Sequence, residues 1–241
     1  SVDAAYYLIH SMGTGGDFKE RDRRAARNFR GALDDAGIGR VIYLGGLGNE
    51  DEGLSAHLQS RREVEQLLGD RNVQLTVLRA AIIIGAGSAS FQIIRQLAGR
   101  LPIMVTPSWV RTECQPIYID DVIDYLVGVI NDPETAGKTY EIGGPDVLTY
   151  QEILTQTARI LRGWPPLILP IPVLSPGLSA RWLGLVTDVD TDVAKPLVDG
   201  LQNRVVVTDD SIRDRITVSQ VAFTESVHRA LDATDGIEPH R

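Results

Sequence analysis

His57 and Arg61 stand four residues apart in the stretch Leu54-Ser-Ala-His-Leu-Gln-Ser-Arg-Arg-Glu-Val-Glu65. That spacing brings two side chains to one face of a helix. An imidazole has an unperturbed pKa of about 6.5 and exchanges a proton at neutral pH without the help a phenol needs. A guanidinium one turn away offers a planar, permanently charged fork that can anchor a ribose or a phosphate. Its like charge also pushes the imidazole toward the neutral form. The same two residues are equally what a surface histidine beside an ordinary helix arginine looks like. Ser55 and Ser60 add hydroxyls to the stretch, although serines are common on helices.

The other candidates carry less. Gly13-Thr-Gly-Gly16 follows a strand, but its spacing departs from the dinucleotide fingerprint, and a surface loop is the better reading. Phe91, Met104 and Trp109 can line an apolar pocket, although such residues are more often core. Asp120-Asp121 reads as the N-terminal cap of the apolar helix that follows, which leaves Glu113 and Asp120 poor candidates for a paired acid and base. One cysteine, Cys114, excludes an internal disulfide and a multi-cysteine metal site, and reads as an inert buried thiol. The four histidines, His10, His57, His228 and His240, lack metal-ligand spacing.

With 241 residues, 43% hydrophobic and 23% charged, the chain can bury a full core. Its net charge of −8 argues against a nucleic-acid partner. The basic run Lys19–Arg30 is interrupted by acids and reads as a solvated helix face. No stretch approaches the roughly 20 apolar residues of a membrane span, and no signal peptide opens the sequence; a cytoplasmic protein is expected.

Apolar runs at Ala4–Ile9, Val41–Leu44 and Gln74–Arg79 predict buried parallel strands. Between and after them, helices are expected over Phe18–Ala36, Ser55–Leu68 and Ser90–Gly99. Further on come an extended segment at Gln115–Ile119, a helix over Val122–Ile130 and a strand at Lys138–Ile142. Thr149 with Glu152 predicts a capping box opening a helix to Leu161. Leu167–Val173, cut by Pro170 and Pro172, reads as a packed loop. Weaker helices are expected at Ser179–Leu185, Asp192–Leu201 and Ser219–Asp232. The fold class is α/β, a parallel sheet with right-handed crossovers. Residues 1–165 form the expected core and 166–241 a smaller mixed or helical region on the substrate side.

Four phrases, in this order and spacing, carry a family resemblance: Val41-Ile-Tyr-Leu-Gly-Gly-Leu-Gly48, Leu78-Arg-Ala-Ala-Ile-Ile-Ile-Gly-Ala-Gly87, Gln115-Pro-Ile-Tyr-Ile-Asp-Asp-Val122 and Tyr140-Glu-Ile-Gly-Gly-Pro145. The chain resembles the extended and atypical short-chain dehydrogenase/reductases, the NAD(P)-binding, nucleoside-diphosphate-sugar-epimerase-like (NmrA-like) proteins. The resemblance implies a Rossmann-like sheet and places His57 and Arg61 at the family's Tyr-x-x-x-Lys positions. It sets Gly45 or Gly46 where the family has a Ser or Thr at the strand end. His10, Ser11 and Met12 would border the adenine ribose, Ala80, Ala81, Ile82 and Ile83 would pass the nicotinamide side, and Gly85–Ser90 would shape the substrate mouth. The family opens with a strand, a glycine-rich turn and a helix that hold the pyrophosphate. This chain resembles the family from its fourth strand onward. An N-terminally truncated fragment is therefore expected ahead of a degenerate relative that cannot hold the cofactor normally, with NAD(P) held only when the missing N-terminal segment is present.

Two functions follow from the resemblance. One is an oxidoreductase or sugar-nucleotide epimerase acting on a small molecule, with His57 as proton donor and Arg61 as ribose clamp. The other, favoured by loss of the Tyr, Lys and Ser, is a non-catalytic dinucleotide sensor or an assembly or interaction protein. A homo-oligomer is compatible with either.

Overall fold

The structure, a computed structural model, describes residues 2–11, 18–49, 53–69, 73–170 and 200–235. Three near-continuous apolar runs form β1 (Ala5–Tyr7), β2 (Arg40–Gly46) and β3 (Gln74–Ala80). Helices α1 (Phe18–Ala36) and α2 (Ala56–Leu68) connect them. All three strands pair in parallel, with Ala5 opposite Val41 and Val41 opposite Leu75. After β3 come the short β4 (Ile83–Ile84), α3 (Ala89–Arg100), β5 (Ile103–Thr106), β6 (Glu113–Cys114), β7 (Ile117–Tyr118) and α4 (Ile119–Asn131). The chain returns to the sheet at β8 (Thr139–Ile142), giving the parallel order β1-β2-β3-β8. Then follow β9 (Leu148–Thr149), α5 (Tyr150–Arg162), β10 (Leu167–Pro170) and α6 (Phe223–Asp235).

Side chains alternate across each strand, and the alternation decides which helix covers which face. Val41, Tyr43, Leu75 and Val77 pack with Ala26 and Leu33 of α1 and Val64 and Leu68 of α2. Their neighbours Ile42, Leu78 and Ala80 pack on the other face with Val122, Tyr125 and Val129 of α4. A third core joins Phe91, Ile94 and Leu97 of α3, Ile153 and Leu154 of α5, and Phe223 and Val227 of α6. The result is a three-layer α/β sheet with a helical cluster beyond the carboxyl ends of its strands, the α/β fold class expected from the sequence.

Several local expectations are corrected. Helix α4 begins at Ile119, so Asp120 and Asp121 lie inside its first turn, and its N-cap Tyr118 makes no side-chain cap bond. Asp121 is buried and accepts from the Val221 backbone N–H at 3.0 Å, tying the approach to α6 onto α4. Leu167–Pro170 is a strand rather than a loop: β10 pairs in parallel with β5, Leu167 opposite Ile103. Pro170 closes that strand, where a missing N–H is tolerated. The last helix starts at Phe223 rather than Ser219. The basic run Lys19–Arg30 is not uniformly solvated, because Asp22 within it is only 3% exposed. The Thr149–Glu152 capping box is present in both directions, and α5 ends on Gly163 in the left-handed region at φ 81°. The helices expected at Ser179–Leu185 and over most of Asp192–Leu201, and the glycine-rich Gly13–Gly16, lie outside the described residues.

Candidate functional site

A cavity of about 610 Å³ opens at the carboxyl ends of β1, β2 and β3. Open parallel sheets bind ligands at this place, because the strand-to-helix turns diverge there. His10 follows β1, Gly45 and Gly46 close β2, and Ala80, Ala81, Ile82 and Ile83 carry the chain out of β3; all of them line the cavity, together with His57 and Arg61 of α2. Ser11 is not among the lining residues, and Met12 lies outside the described residues.

Helix α2 presents its functional face because its start is fixed. Ser55 is the N-cap, its hydroxyl accepting from the Leu58 N–H at 3.4 Å. Asn203 holds the lead-in from across the chain: its Oδ1 accepts from the Ser55 N–H at 3.1 Å and its Nδ2 donates to the Gly53 carbonyl at 3.0 Å. At the strand side the approach is close. A Cβ at Gly46 would sit 2.7 Å from Leu58 Cδ2, and one at Gly45 would sit 3.0 Å from Glu65 Oε1. Glycine at these two positions lets α2 lie against the end of β2.

The two consecutive arginines of α2 have opposite fates. Arg62 is engaged through both terminal nitrogens, donating to the carbonyls of Gly46 at 3.0 Å and Gly48 at 2.8 Å and to Glu65 at 2.8 Å. Glu65 in turn receives a two-bond fork from Arg79, at 2.7 and 3.2 Å. Arg61 is 7% exposed and lines the cavity, yet it forms no ion pair among the described residues. The Tyr43 hydroxyl donates to the Arg61 carbonyl at 3.5 Å and lies beside the guanidinium, and burial pushes that phenol up to about 12. A buried cation without a carboxylate is costly, so the arrangement favours an anionic or oxygen-rich ligand at that end.

His57 sits in the same field. Burial first, then the Arg61 charge and His10, bring its pKa down to about 4, so the imidazole is neutral at pH 7. His10 is lowered in the same way, by burial and then by Arg61. The one carboxylate acting on both is Asp22 of α1, and its oxygens are already committed: Oδ1 accepts from the Ser11 N–H at 2.7 Å and Oδ2 from the Ser60 hydroxyl at 2.9 Å. Sequence reasoning missed Asp22. The available signal was its place four residues before Ala26, in line with the buried stripe of α1.

The rest of the lining is apolar and comes from other elements. Ile93, Ile94 and Leu97 of α3, Ile153 and Leu154 of α5, and Trp109 form this wall, with Trp109 standing edge-on to Tyr150 at 6.0 Å between ring centroids. The Tyr150 hydroxyl and the Cys114 thiol share a hydrogen bond, and burial pushes the thiol up to about 11. Cys114 is thus the inert thiol expected, while Phe91 and Met104 are core side chains of the helical cluster rather than cavity lining. Among the described residues no cluster of His, Cys, Asp or Glu could hold a metal ion.

An open parallel sheet, helices on both faces and a crevice at the strand ends define a Rossmann-like protein. The chain has the fold of the NAD-dependent epimerases and reductases of the short-chain dehydrogenase/reductase type, as its motifs implied. It superposes on a nucleoside-diphosphate-sugar epimerase from Staphylococcus aureus with a TM-score of 0.72 at 14% identity, covering 93% of this chain and 76% of that one. Against the triphenylmethane reductase of a Citrobacter species, complexed with NADP(H), the TM-score is 0.69 at 17% identity, over 95% and 76% of the two chains. In sequence it is 27% identical over 186 residues to the mitochondrial NADH dehydrogenase [ubiquinone] 1 alpha subcomplex subunit 9 of Arabidopsis thaliana. That match takes in 75% of this chain and 45% of the relative, so the chain spans less than half the length of that protein. No family model matches the chain. No helix among the described residues is long and apolar enough to cross a membrane.

Proposed function

We propose that the cavity is the nicotinamide-side crevice of an NAD(P)-binding, atypical short-chain dehydrogenase/reductase, an oxidoreductase or epimerase acting on a small molecule. The observation that carries this reading is the buried Arg61, without an ion pair among the described residues, beside His57 at the carboxyl ends of three parallel strands. The lining fits the group: Arg61 offers its fork to ribose oxygens, Gly45 and Gly46 leave room at the end of β2, and Ala80–Ile83 supply backbone edges along one wall. NAD(P), when bound, supplies hydride acceptance or donation. The chain's own part is to orient the ligand through Arg61, exclude water with the apolar wall, and exchange a proton at the His57 imidazole. The adenine side is assigned to the segment of His10 and Ser11 in this reading, with Met12 the next residue in the sequence. The pyrophosphate falls to a glycine-rich unit that accompanies these residues, and the dinucleotide is retained only with that unit present. The reading includes a cytoplasmic location and leaves a homo-oligomer open.

A second reading has its own observation in its favour. With a pKa of about 4, only about one His57 in a thousand is protonated at pH 7. General acid–base catalysis works best when the pKa lies near the working pH. Without a bound anion to raise it, His57 is poorly tuned, which suits a dinucleotide sensor or a subunit of a larger assembly.

Calorimetric titration of NADPH and NADH tests the shared part, using this chain and a form carrying the glycine-rich unit. Binding that Arg61→Met weakens at least tenfold sustains the crevice reading; absence of binding by both forms overturns it. Turnover that His57→Ala abolishes separates the enzyme from the sensor.

A further inference from the structure

The polar and apolar linings of the cavity come from different elements, and on the apolar side few side chains among the described residues are left to hydrogen-bond a ligand, the Ser90 hydroxyl being one. Ser88 accepts from the Phe91 N–H at 3.4 Å as the N-cap of α3, and the Tyr150 hydroxyl is bonded to Cys114. The Gln92 amide beside the loop donates to the Ala86 carbonyl. Ile93, Ile94, Leu97, Ile153 and Leu154 offer nothing to a hydroxyl. A sugar nucleotide brings several ring hydroxyls, each costing about 1–3 kcal/mol when buried without a partner, and a charged diphosphate that costs more. A flat apolar body meets no such penalty, and Trp109 contributes an aromatic ring to the lining. A lining dominated by aliphatic and aromatic groups, with a few convergent polar groups at one end, is the usual form of a site for such ligands.

We infer that the substrate is an apolar carbonyl compound, aromatic or branched aliphatic, with its oxygen at the His57–Arg61 end and its body between α3, α5 and Trp109. A nucleotide sugar is the poorer fit to the lining that the described residues present. The inference rests on the crevice reading above for its orientation, but it is tested without the dinucleotide.

The probe is 6-propionyl-2-(dimethylamino)naphthalene, a flat ketone whose emission moves to the blue in apolar surroundings. Titrated with the protein, it is expected to bind with one-to-one saturation and a blue shift. UDP-glucose in large excess is expected to leave the signal unchanged. Trp109→Ala and, independently, Leu201→Asn at the partly exposed part of the lining are expected to weaken binding at least tenfold, in protein whose circular dichroism and melting are native. Displacement by UDP-glucose, or unchanged binding in both folded variants, overturns the inference. Because NADPH binding is measured separately, probe binding without NADPH binding would sink the crevice reading and leave this one standing. NADPH binding with displacement by UDP-glucose would do the reverse.

Discussion

Ser60 donates its hydroxyl to Asp22 Oδ2 at 2.9 Å across 38 positions of the chain, and both residues are buried. The other Asp22 oxygen accepts from the Ser11 backbone at 2.7 Å, so one carboxylate joins α1, α2 and the exit of β1. His57 and Arg61 flank Ser60 on α2, so their placement depends on this joint.

Asp22→Ala therefore leaves a buried hydroxyl and a partly buried amide without their acceptor. The expected loss of stability is about 2–4 kcal/mol. Urea midpoints at constant m-value measure it, and a loss below about 0.5 kcal/mol would show that the joint is not structural.

The His57 imidazole sets a pH dependence with a definite sign. Its folded pKa of about 4 lies below the ordinary 6.5. Between these values the unfolded chain binds the proton and the folded chain does not, so stability falls as pH drops from about 6.5 to about 4 and is flat in this respect above. The contribution lost is ~3 kcal/mol. The difference in urea midpoint between pH 7 and pH 4.5 should shrink markedly in His57→Gln. In Arg61→Met the imidazole pKa, followed by NMR, should rise without reaching 6.5, because burial is the larger cause.

Gly144 belongs to the Gly-Gly-Pro phrase that marked the family resemblance, and its reason is contact. A Cβ there would lie 2.3 Å from the Pro116 carbonyl oxygen, a backbone atom, and the Gly144 N–H already donates to that oxygen at 3.1 Å. Gly144→Ala should destabilise by about 2–4 kcal/mol. Gly31, within α1 and with nothing within 4 Å of its Cβ position, should gain about 0.5–1 kcal/mol on the same change. Paired melting curves of the two variants check the contrast.

How far the sequence disclosed the site depends on the kind of signal. The parallel sheet was legible because strands buried on both faces read as apolar runs, and Val41–Leu44 needed no partner to be recognised. His57 and Arg61 were legible as a pair because helical spacing alone puts them on one face. Asp22 was hidden: a lone acid in a basic helix resembles solvated surface until a strand exit and a second helix close over it. Asp121 misled for a related reason, since an acid near a helix start satisfies a cap as well as a tertiary bond to Val221. Strand β10 was obscured by Pro170, which weakens a strand signal although the end of an edge strand tolerates it. Which of two adjacent arginines is engaged and which is left facing the cavity is a tertiary fact, fixed by Glu65 and the Gly46 and Gly48 carbonyls.

The clamp formed by Arg62, Glu65 and Arg79 bears on how fast a ligand arrives. It braces the end of β2 from behind, at bonds of 2.7–3.2 Å, without lending any of its charges to the cavity. A wall held that way is preorganised, so little ordering remains to be done when the site fills. Association is then limited by encounter and orientation rather than by a conformational step, and differences in affinity among ligands appear mainly in how long each one stays.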